Sequence, residues 1–386
     1  MIGWIITIVG IITATQLMRV SVLARKLNGR KEEDISDSEN NFNALLIGVF
    51  GFLMLTSVIF MILKYKNGYL PQAASEHGQE IDFLFNINWI IVFIVYFSTN
   101  IALLYFSIKY RGKKGNTAYY FPHDNKLEMI WTIIPASALA VIIILGLKTW
   151  NDITSKPSDN AKVVELFGEQ FSWTARYAGD DNKLGYADYK LTTGSNPLGL
   201  VTPESLEASI EDMQSTVDKL KDKLDKAAEG KEVYSVAKEK EMELKMEKYI
   251  RLRERLLKMK ERMNPNKLIV ANDDFMTKME LHLIKDQEYM FIFRSKDVMH
   301  SAYFPHFRAQ MNVVPGMRTK FKFKPIISTK EMRDITGNPD FNYVLLCNKI
   351  CGEGHSNMKL IVVVDETEQD FLAWKKENTK SPIAKN

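Results

Sequence analysis

Four long apolar runs crowd the first 150 residues, and short alternating runs fill most of the rest. The apolar runs cover residues 2 to about 22, 44–63, 83–108 and 129–147, and only Arg19 interrupts the first. A bilayer core about 30 Å thick takes about 20 such residues as a helix. The pattern therefore predicts four transmembrane helices rather than buried helices of a soluble core, where charge-free runs of this length are rare. Beyond Lys162 the period shortens. Residues 163–167, 171–177, 279–284, 289–294, 318–323, 343–346 and 358–364 read as strands, several divided by Asp, Asn, Gly or Pro. So many short strands predict a β-sandwich or barrel.

A third pattern splits the strand region. Thr202-Pro203-Glu204 has the form of a helix start, with an N-cap, a proline in the first turn and an early acid. Leu206, Ile210, Met213, Val217, Leu220, Leu224 and Ala227 then alternate at four and three, as in a coiled-coil seam. After Gly230 a second seam runs through Val233, Val236, Met242, Met246, Tyr249, Leu252, Leu256, Met259 and Met263, and stops before Pro265. The expectation is an antiparallel helical hairpin, serving either as a solvated structural arm or as a docking surface for a neighbouring subunit.

Charge orients the membrane part. The chain has 386 residues, 25% of them charged, and a net charge of +4, an average that hides the apolar first part. Arg19, Arg25, Lys26, Arg30 and Lys31 come at the end of the first run or after it, which favours a retained helix over a cleaved signal peptide. A second basic loop holds Lys109, Arg111, Lys113, Lys114 and Lys126. Both loops fall on one side of a four-helix threading. The positive-inside rule puts them in the cytoplasm and everything after Trp150 outside. Residues 64–81 are also placed outside, although Lys64 and Lys66 weaken the bias. Trp4, Trp89, Trp131 and Trp150 sit near run ends, as interfacial aromatics do. Glu128 stands just inside the cytoplasmic face, before a kinking Pro135. It is either a solvated interfacial carboxylate or a candidate for a proton path.

The candidate chemistry lies near the end, in residues 347–358. Cys347, Cys351, His355 and Met358 share this one stretch, and the chain has no other cysteine. Two thiols, an imidazole and a thioether suit a soft or borderline metal such as copper. A disulfide between cysteines four apart is geometrically awkward and leaves His355 and Met358 unexplained. Of the other histidines, His77 and His123 lie beside membrane helices, and His282 sits inside a strand-like run. His300 follows a strand and opens a loop, a place where ligands are often held, with His306 as its rival. A single blue-copper site would leave one cysteine surplus. Two thiolates bridging two metals would use both, with Met358 and a backbone carbonyl as weak ligands. Such a site is coordinatively closed, which suits electron transfer better than hydrolysis.

The pattern C-x3-C-G-x2-H-x2-M after Asp297-x-x-His300-Ser301 resembles the dinuclear copper-A centre of cytochrome c oxidase subunit II. The resemblance extends to Leu127-Glu128-x-Ile130-Trp131-Thr132-x-Ile134-Pro135, to the Gly168–Tyr177 stretch with Phe171 and Trp173, and to Val314-Pro315-Gly316. It implies a membrane helix hairpin carrying a cupredoxin-like Greek-key β-barrel on the outer face of a bacterial inner membrane. It implies two coppers bridged by Cys347 and Cys351. His300 and His355 bind one copper each, Met358 is a weak ligand, and Lys349 lends its backbone carbonyl. Glu128 would mark the mouth of a proton channel, with Phe171 and Trp173 near the point of electron entry. The implied partners are cytochrome c or a tethered cytochrome domain, and oxidase subunit I with its haem and copper-B, alongside other oxidase subunits. Membrane lipid surrounds the helices, and nothing points to nucleic acid. The implied activity is that of a proton-pumping terminal oxidase, whose oxygen chemistry lies in subunit I.

Three departures qualify the resemblance. Lys349 replaces a common glutamate and Asn312 a common aspartate, which puts the family's interfacial magnesium in doubt. Phe171 stands where a tryptophan is frequent. Two extra helices (1–64) precede the family hairpin (65–150), and the helical hairpin (202–263) interrupts the copper domain (151–201 and 264–375), ahead of a tail at 376–386. These additions suggest further partners, as in a respiratory supercomplex. The competing readings are a membrane-anchored scaffold with an incidental disulfide, and the copper-A subunit of a nitric oxide or nitrous oxide reductase.

Overall fold

The structure, a computed structural model, describes residues 2–27, 29, 36–113, 115–192, 196–264 and 270–378. Arg30, Lys31, Lys114, Pro265 and the tail from 379 lie outside the described residues, as do the side chains of Trp4 and Arg25. The chain divides into two compact units, Met1–Leu70 with Asn86–Ala140, and Pro71–Phe85 with Val141–Asn386.

The first unit is helical. Its elements are α1 (Ile2–Leu27), α2 (Asp37–Tyr65), and most of α3 (Glu76–Lys109) and the first half of α4 (Asn125–Thr154). Among the described residues three helices, α2, α3 and α4, are long and apolar enough to cross a membrane. The expected first span forms a helix, α1, but is not among those three. Ser36 starts α2 with a capping box, its hydroxyl accepting from the Glu39 N–H while Glu39 reaches back to the Ser36 N–H. Small residues let α2 meet α3 closely. A Cβ on Gly51 would come within 2.3 Å of Leu104. At one end Arg111 donates to Asn41 Oδ1 at 2.7 Å and Asn40 donates to the Gly112 carbonyl at 3.0 Å.

The second unit is a pair of five-stranded sheets. They are built from β1 (Lys162–Glu169), β2 (Ser172–Tyr177), β3 (Phe275–Thr277), β4 (Glu280–Ile284), β5 (Tyr289–Ser295), β6 (His300–Phe304), β7 (Ala309–Val313), β8 (Thr319–Phe323), β9 (Tyr343–Cys347) and β10 (Lys359–Asp365). One sheet has the order β3-β2-β1-β5-β8 and the other β4-β10-β9-β6-β7. The β1–β5 and β4–β10 pairs are parallel and the rest antiparallel. Val164, Leu166, Trp173, Phe291, Phe293, Phe304 and Leu345 lie in the shared core. Two short helices, α7 (Thr329–Thr336) and α8 (Glu368–Asn378), complete the unit.

The seven runs read as strands correspond to β1, β2, β4, β5, β8, β9 and β10, while β3, β6 and β7 escaped the pattern. His300 accordingly needs correction. It does not open a loop but is the first residue of β6, a strand enclosed between β9 and β7. Most of β6 is buried on both faces, so its sequence His-Ser-Ala-Tyr-Phe shows no alternation. His306 lies elsewhere, its ring against Phe341 and Tyr343. Its backbone carbonyl takes the N–H of Ala74, and the next carbonyl, of Phe307, takes the Ser75 hydroxyl. Arg308 then clasps Asp82 at 2.8 Å, so residues 71–85 are bound into this unit.

The insert forms α5 (Pro203–Ala228) and α6 (Val236–Arg262), packed against each other. Glu207 near the start of α5 pairs with Lys260 near the end of α6 at 2.6 Å, so the helices run antiparallel. Leu206 and Leu256 are buried in the seam. Val233 and Val236 are not part of it. They are 93% and 82% exposed, because Gly230 at φ +72° turns the chain and α6 begins only after its Ser235 cap.

A buried charge network roots this insert. Arg176 on β2 pairs with Glu165 on β1 and with Asp274, each at 2.7 Å, and all three side chains are essentially inaccessible. Arg294 on β5 also pairs with Glu165, and donates to the Leu198 carbonyl at 3.0 Å. Burial works against the Glu165 carboxylate, yet the two arginines hold it below its usual range. Burial dominates at Asp274 and pushes it up to about 6 in spite of Arg176. Replacing one member of a buried pair strands its partners' charge at a cost of about 3–5 kcal/mol. Arg176→Met is therefore expected to lower the thermal transition of this unit in the full chain, followed by near-ultraviolet circular dichroism, while the helical signal of the first unit stays intact.

Candidate metal centre

Strand register creates the site. Ala302 on β6 lies opposite Cys347, the last residue of β9, so buried His300 falls close to the cysteine. The next residues are tied down as well, with the Asn348 N–H donating to the Ser301 carbonyl at 2.9 Å. The loop closes where the Cys347 N–H meets the Met358 carbonyl at 3.1 Å, just before β10 returns along β9. Inside it, Gly352 adopts φ +141°, open to glycine alone. The Phe171 ring lies over this glycine, where an added Cβ would approach it to 2.9 Å.

Six groups converge. Cys347 Sγ and Cys351 Sγ are 3.9 Å apart, and both cysteines are free. A disulfide needs about 2.05 Å, so the paired-thiol alternative is not what the fold builds. His300 Nδ1 stands 3.8 Å from Cys347 Sγ, and His355 Nδ1 stands 3.5 Å from Cys351 Sγ. Met358 Sδ is 3.8 Å from Cys351 Sγ, and the Lys349 carbonyl oxygen is 3.2 Å from Cys347 Sγ. The ligand atoms of His300, Cys347 and Cys351 all lie within 4.8 Å of one another. Phe171 and Trp173 flank the cluster, Trp173 edge-on to His300 at 6.0 Å between ring centres. The Lys349 side chain points to solvent, as does Asn312. Glu128 is not brought here. It lies in the first unit, in the first turn of α4, 3.7 Å from His123 Nδ1.

The surroundings disfavour charge on the Cys351 sulfur. Burial, and then the neighbouring Cys347, pushes the Cys351 thiol up to about 11. Two thiolates could coexist so close together only with positive charge between them. The donor set of two sulfurs, two imidazole nitrogens, a thioether and a carbonyl oxygen fits copper.

Two neighbours went unassigned in the sequence. Asp297 accepts from His300 Nε2 at 2.9 Å, which turns Nδ1 toward the sulfurs. Burial opposes this carboxylate, but the Gln170 N–H and the His300 ring hold it below its usual range. Asp297 was legible in the spacing before His300, although not its task. Gln170 donates its side-chain amide to the Cys351 carbonyl, a contact no sequence pattern signals.

The chain is also similar to known proteins. The family description "Cytochrome C oxidase subunit II, transmembrane domain" matches residues 63–149. The chain is 27% identical over 294 residues to the alternative cytochrome c oxidase subunit 2 of Bradyrhizobium diazoefficiens, covering 76% of this chain and 78% of that one. It is 23% identical over 335 residues to cytochrome c oxidase subunit 2 of Thermostichus vulcanus, covering 84% and 83%. These likenesses, over the membrane segment and along most of the chain, are to cytochrome c oxidase subunit II. Among solved structures, the periplasmic domain of subunit II (CoxB) of Bradyrhizobium japonicum aligns at 13% identity with a TM-score of 0.28, covering 58% of this chain and 95% of that one.

The orienting carboxylate gives a direct test. Loss of a hydrogen bond behind a metal-binding histidine typically costs 10–100-fold in metal affinity. Asp297→Ala is expected to weaken copper binding by about that factor in competition with a chelator, with the secondary structure unchanged by circular dichroism.

Proposed function

We propose that this chain is the electron-transfer subunit of a terminal oxidase in a bacterial inner membrane, with α1 as a fourth span and the β-sandwich, read as a cupredoxin-like fold, on the outer face. The observation that carries the proposal is the pair of unbonded sulfurs 3.9 Å apart, each backed by its own imidazole. Cys347, Cys351, His300, His355, Met358 and the Lys349 carbonyl would together hold two coppers. When bound, the pair supplies a one-electron relay between cytochrome c, or a tethered cytochrome domain, and the haem of subunit I.

The residues around it have separate tasks. Asp297 holds the His300 ring in one orientation, and β6 and β9 fix both His300 and Cys347, so little needs to move as charge changes. Phe171, 37% exposed, is the aromatic at the outer edge of the loop, and Trp173 lies behind it against His300. An electron from a docked donor would enter along this pair. The lysine at 349 offers a hard dication no side-chain oxygen and the asparagine at 312 offers only a neutral one, which speaks against an interfacial magnesium. Glu128 serves as the mouth of a proton channel completed by subunit I, in an enzyme that couples oxygen reduction to proton pumping.

The copper reading rests on one experiment. The purified full chain, reconstituted with copper, is expected to turn purple and to give an EPR signal shared by two copper nuclei. Cys351→Ser should abolish that shared signal while the membrane helices remain inserted. A colourless protein with its cysteines oxidised to each other would overturn the proposal.

Glu128 is tested apart from the copper. In the assembled oxidase, Glu128→Ala is expected to slow proton uptake and turnover and to leave the copper spectrum untouched. Normal turnover in that variant would remove Glu128 from the proton path.

A further inference from the structure

The turn between β1 and β2 reaches over the metal-site loop and touches both of its halves. Glu169 and Ser172 pair across the two strands, so Gln170 and Phe171 are the residues of the turn. The Gln170 N–H donates to Asp297 Oδ2 at 2.7 Å, while Oδ1 of the same carboxylate accepts from His300 Nε2. The Gln170 side-chain amide points the other way and donates to the Cys351 carbonyl. The turn also sits tightly on the residues that follow. A Cβ on Gly352 would meet Gln170 Nε2 at 3.0 Å, and one on Gly354 would meet the Phe171 ring at 2.5 Å.

The two cysteines are held in different ways. Cys347 ends β9, lies opposite Ala302 of β6 and donates its N–H to the Met358 carbonyl. Cys351 lies outside any strand. Among the described residues the Gln170 amide makes the one hydrogen bond to its carbonyl. Ile350, just before it, is 85% exposed, so packing does not anchor that side of the turn. Cys351 itself is buried, and a reagent reaches a buried group only when the segment around it opens.

We infer that Gln170 is a positioning residue for Cys351, acting through the Cys351 carbonyl and tying that turn to the Asp297–His300 pair. The glycine turn delivers Cys351 to the site, and the amide keeps its sulfur 3.9 Å from that of Cys347. An amide donor is required, because a side chain without an N–H leaves the carbonyl unmet. The strap belongs to the metal-free loop as much as to the loaded one. Only the second arm of its test rests on the copper reading.

The test uses the full chain in detergent and three variants. Gln170→Met keeps the side chain's length and loses the donor, Gln170→Ala removes both, and Ser172→Ala alters the same turn away from the carbonyl. In the metal-free chain, alkylation by iodoacetamide is followed at each cysteine by peptide mass spectrometry. Both Gln170 variants are expected to react about fivefold faster than the parent at Cys351, the worth of one ordinary hydrogen bond, and less than about twofold faster at Cys347. Ser172→Ala should match the parent at both. In the copper-loaded chain, the Gln170 variants are expected to shift the EPR hyperfine pattern, because moving one sulfur makes the two coppers unequal, and Ser172→Ala should keep it. The inference is overturned if Cys351 reacts at the parent rate in both Gln170 variants, if the two cysteines accelerate alike, if Ser172→Ala does the same, or if the EPR pattern of the loaded variants is unchanged. A parent chain that takes up no copper would overturn the copper reading instead, and the alkylation rates alone would then decide the role of Gln170.

Discussion

Everything at the candidate metal centre depends on one strand register. Pairing of β6 with β9 sets Ala302 against Cys347, and from that the 3.8 Å approach of His300 to Cys347 follows. A slip of one residue would turn His300 to the other face of its sheet. The register is secured from both sides, because β6 also pairs with β7 along its whole length and β9 pairs with β10. His300 is inaccessible and its far nitrogen is bound to Asp297, so the imidazole has one orientation available. The loop then needs only a glycine turn and a closing hydrogen bond to bring Cys351, His355 and Met358 to the same place.

The sequence was most informative where ligands are close in the chain. Cys347, Cys351, His355 and Met358 lie within twelve residues, and ligand chemistry alone singles them out. His300 lies 47 residues upstream of Cys347, and its contact with the site comes from sheet topology, which periodicity cannot give. The strand that carries it was invisible for the same reason, since burial on both faces erases alternation. Short β3 and partly exposed β7 were missed because Phe-Met-Thr and Ala-Gln-Met-Asn-Val carry too little pattern to stand out. The membrane part shows the reverse. Apolar length marks α2, α3 and α4 plainly, but the contact between α2 and α3 depends on glycines that hydropathy does not distinguish.

The buried charge network accounts for how an insert as long as α5 and α6 coexists with so exact a site. The insert leaves after β2 and returns before β3, at the sheet edge, and the shared core lies on the other face of β1, β2 and β5. Arg176 and Arg294 reach outward from that sheet and grip both ends of the excursion, through the Gly185 and Leu198 carbonyls before α5 and through Asp274 after α6. Desolvated arginines are costly unless every donor finds an acceptor, and here carboxylates and carbonyls supply them. The network therefore does what an apolar plug could not, since it fixes the direction as well as the position of both chain ends. Meanwhile Leu166 and Trp173, on the inward side of the same strands, remain free to pack the core beside His300. One sheet thus backs the candidate metal site with Trp173 on one face and carries the root of the hairpin on the other, and the two meet only through the strands themselves.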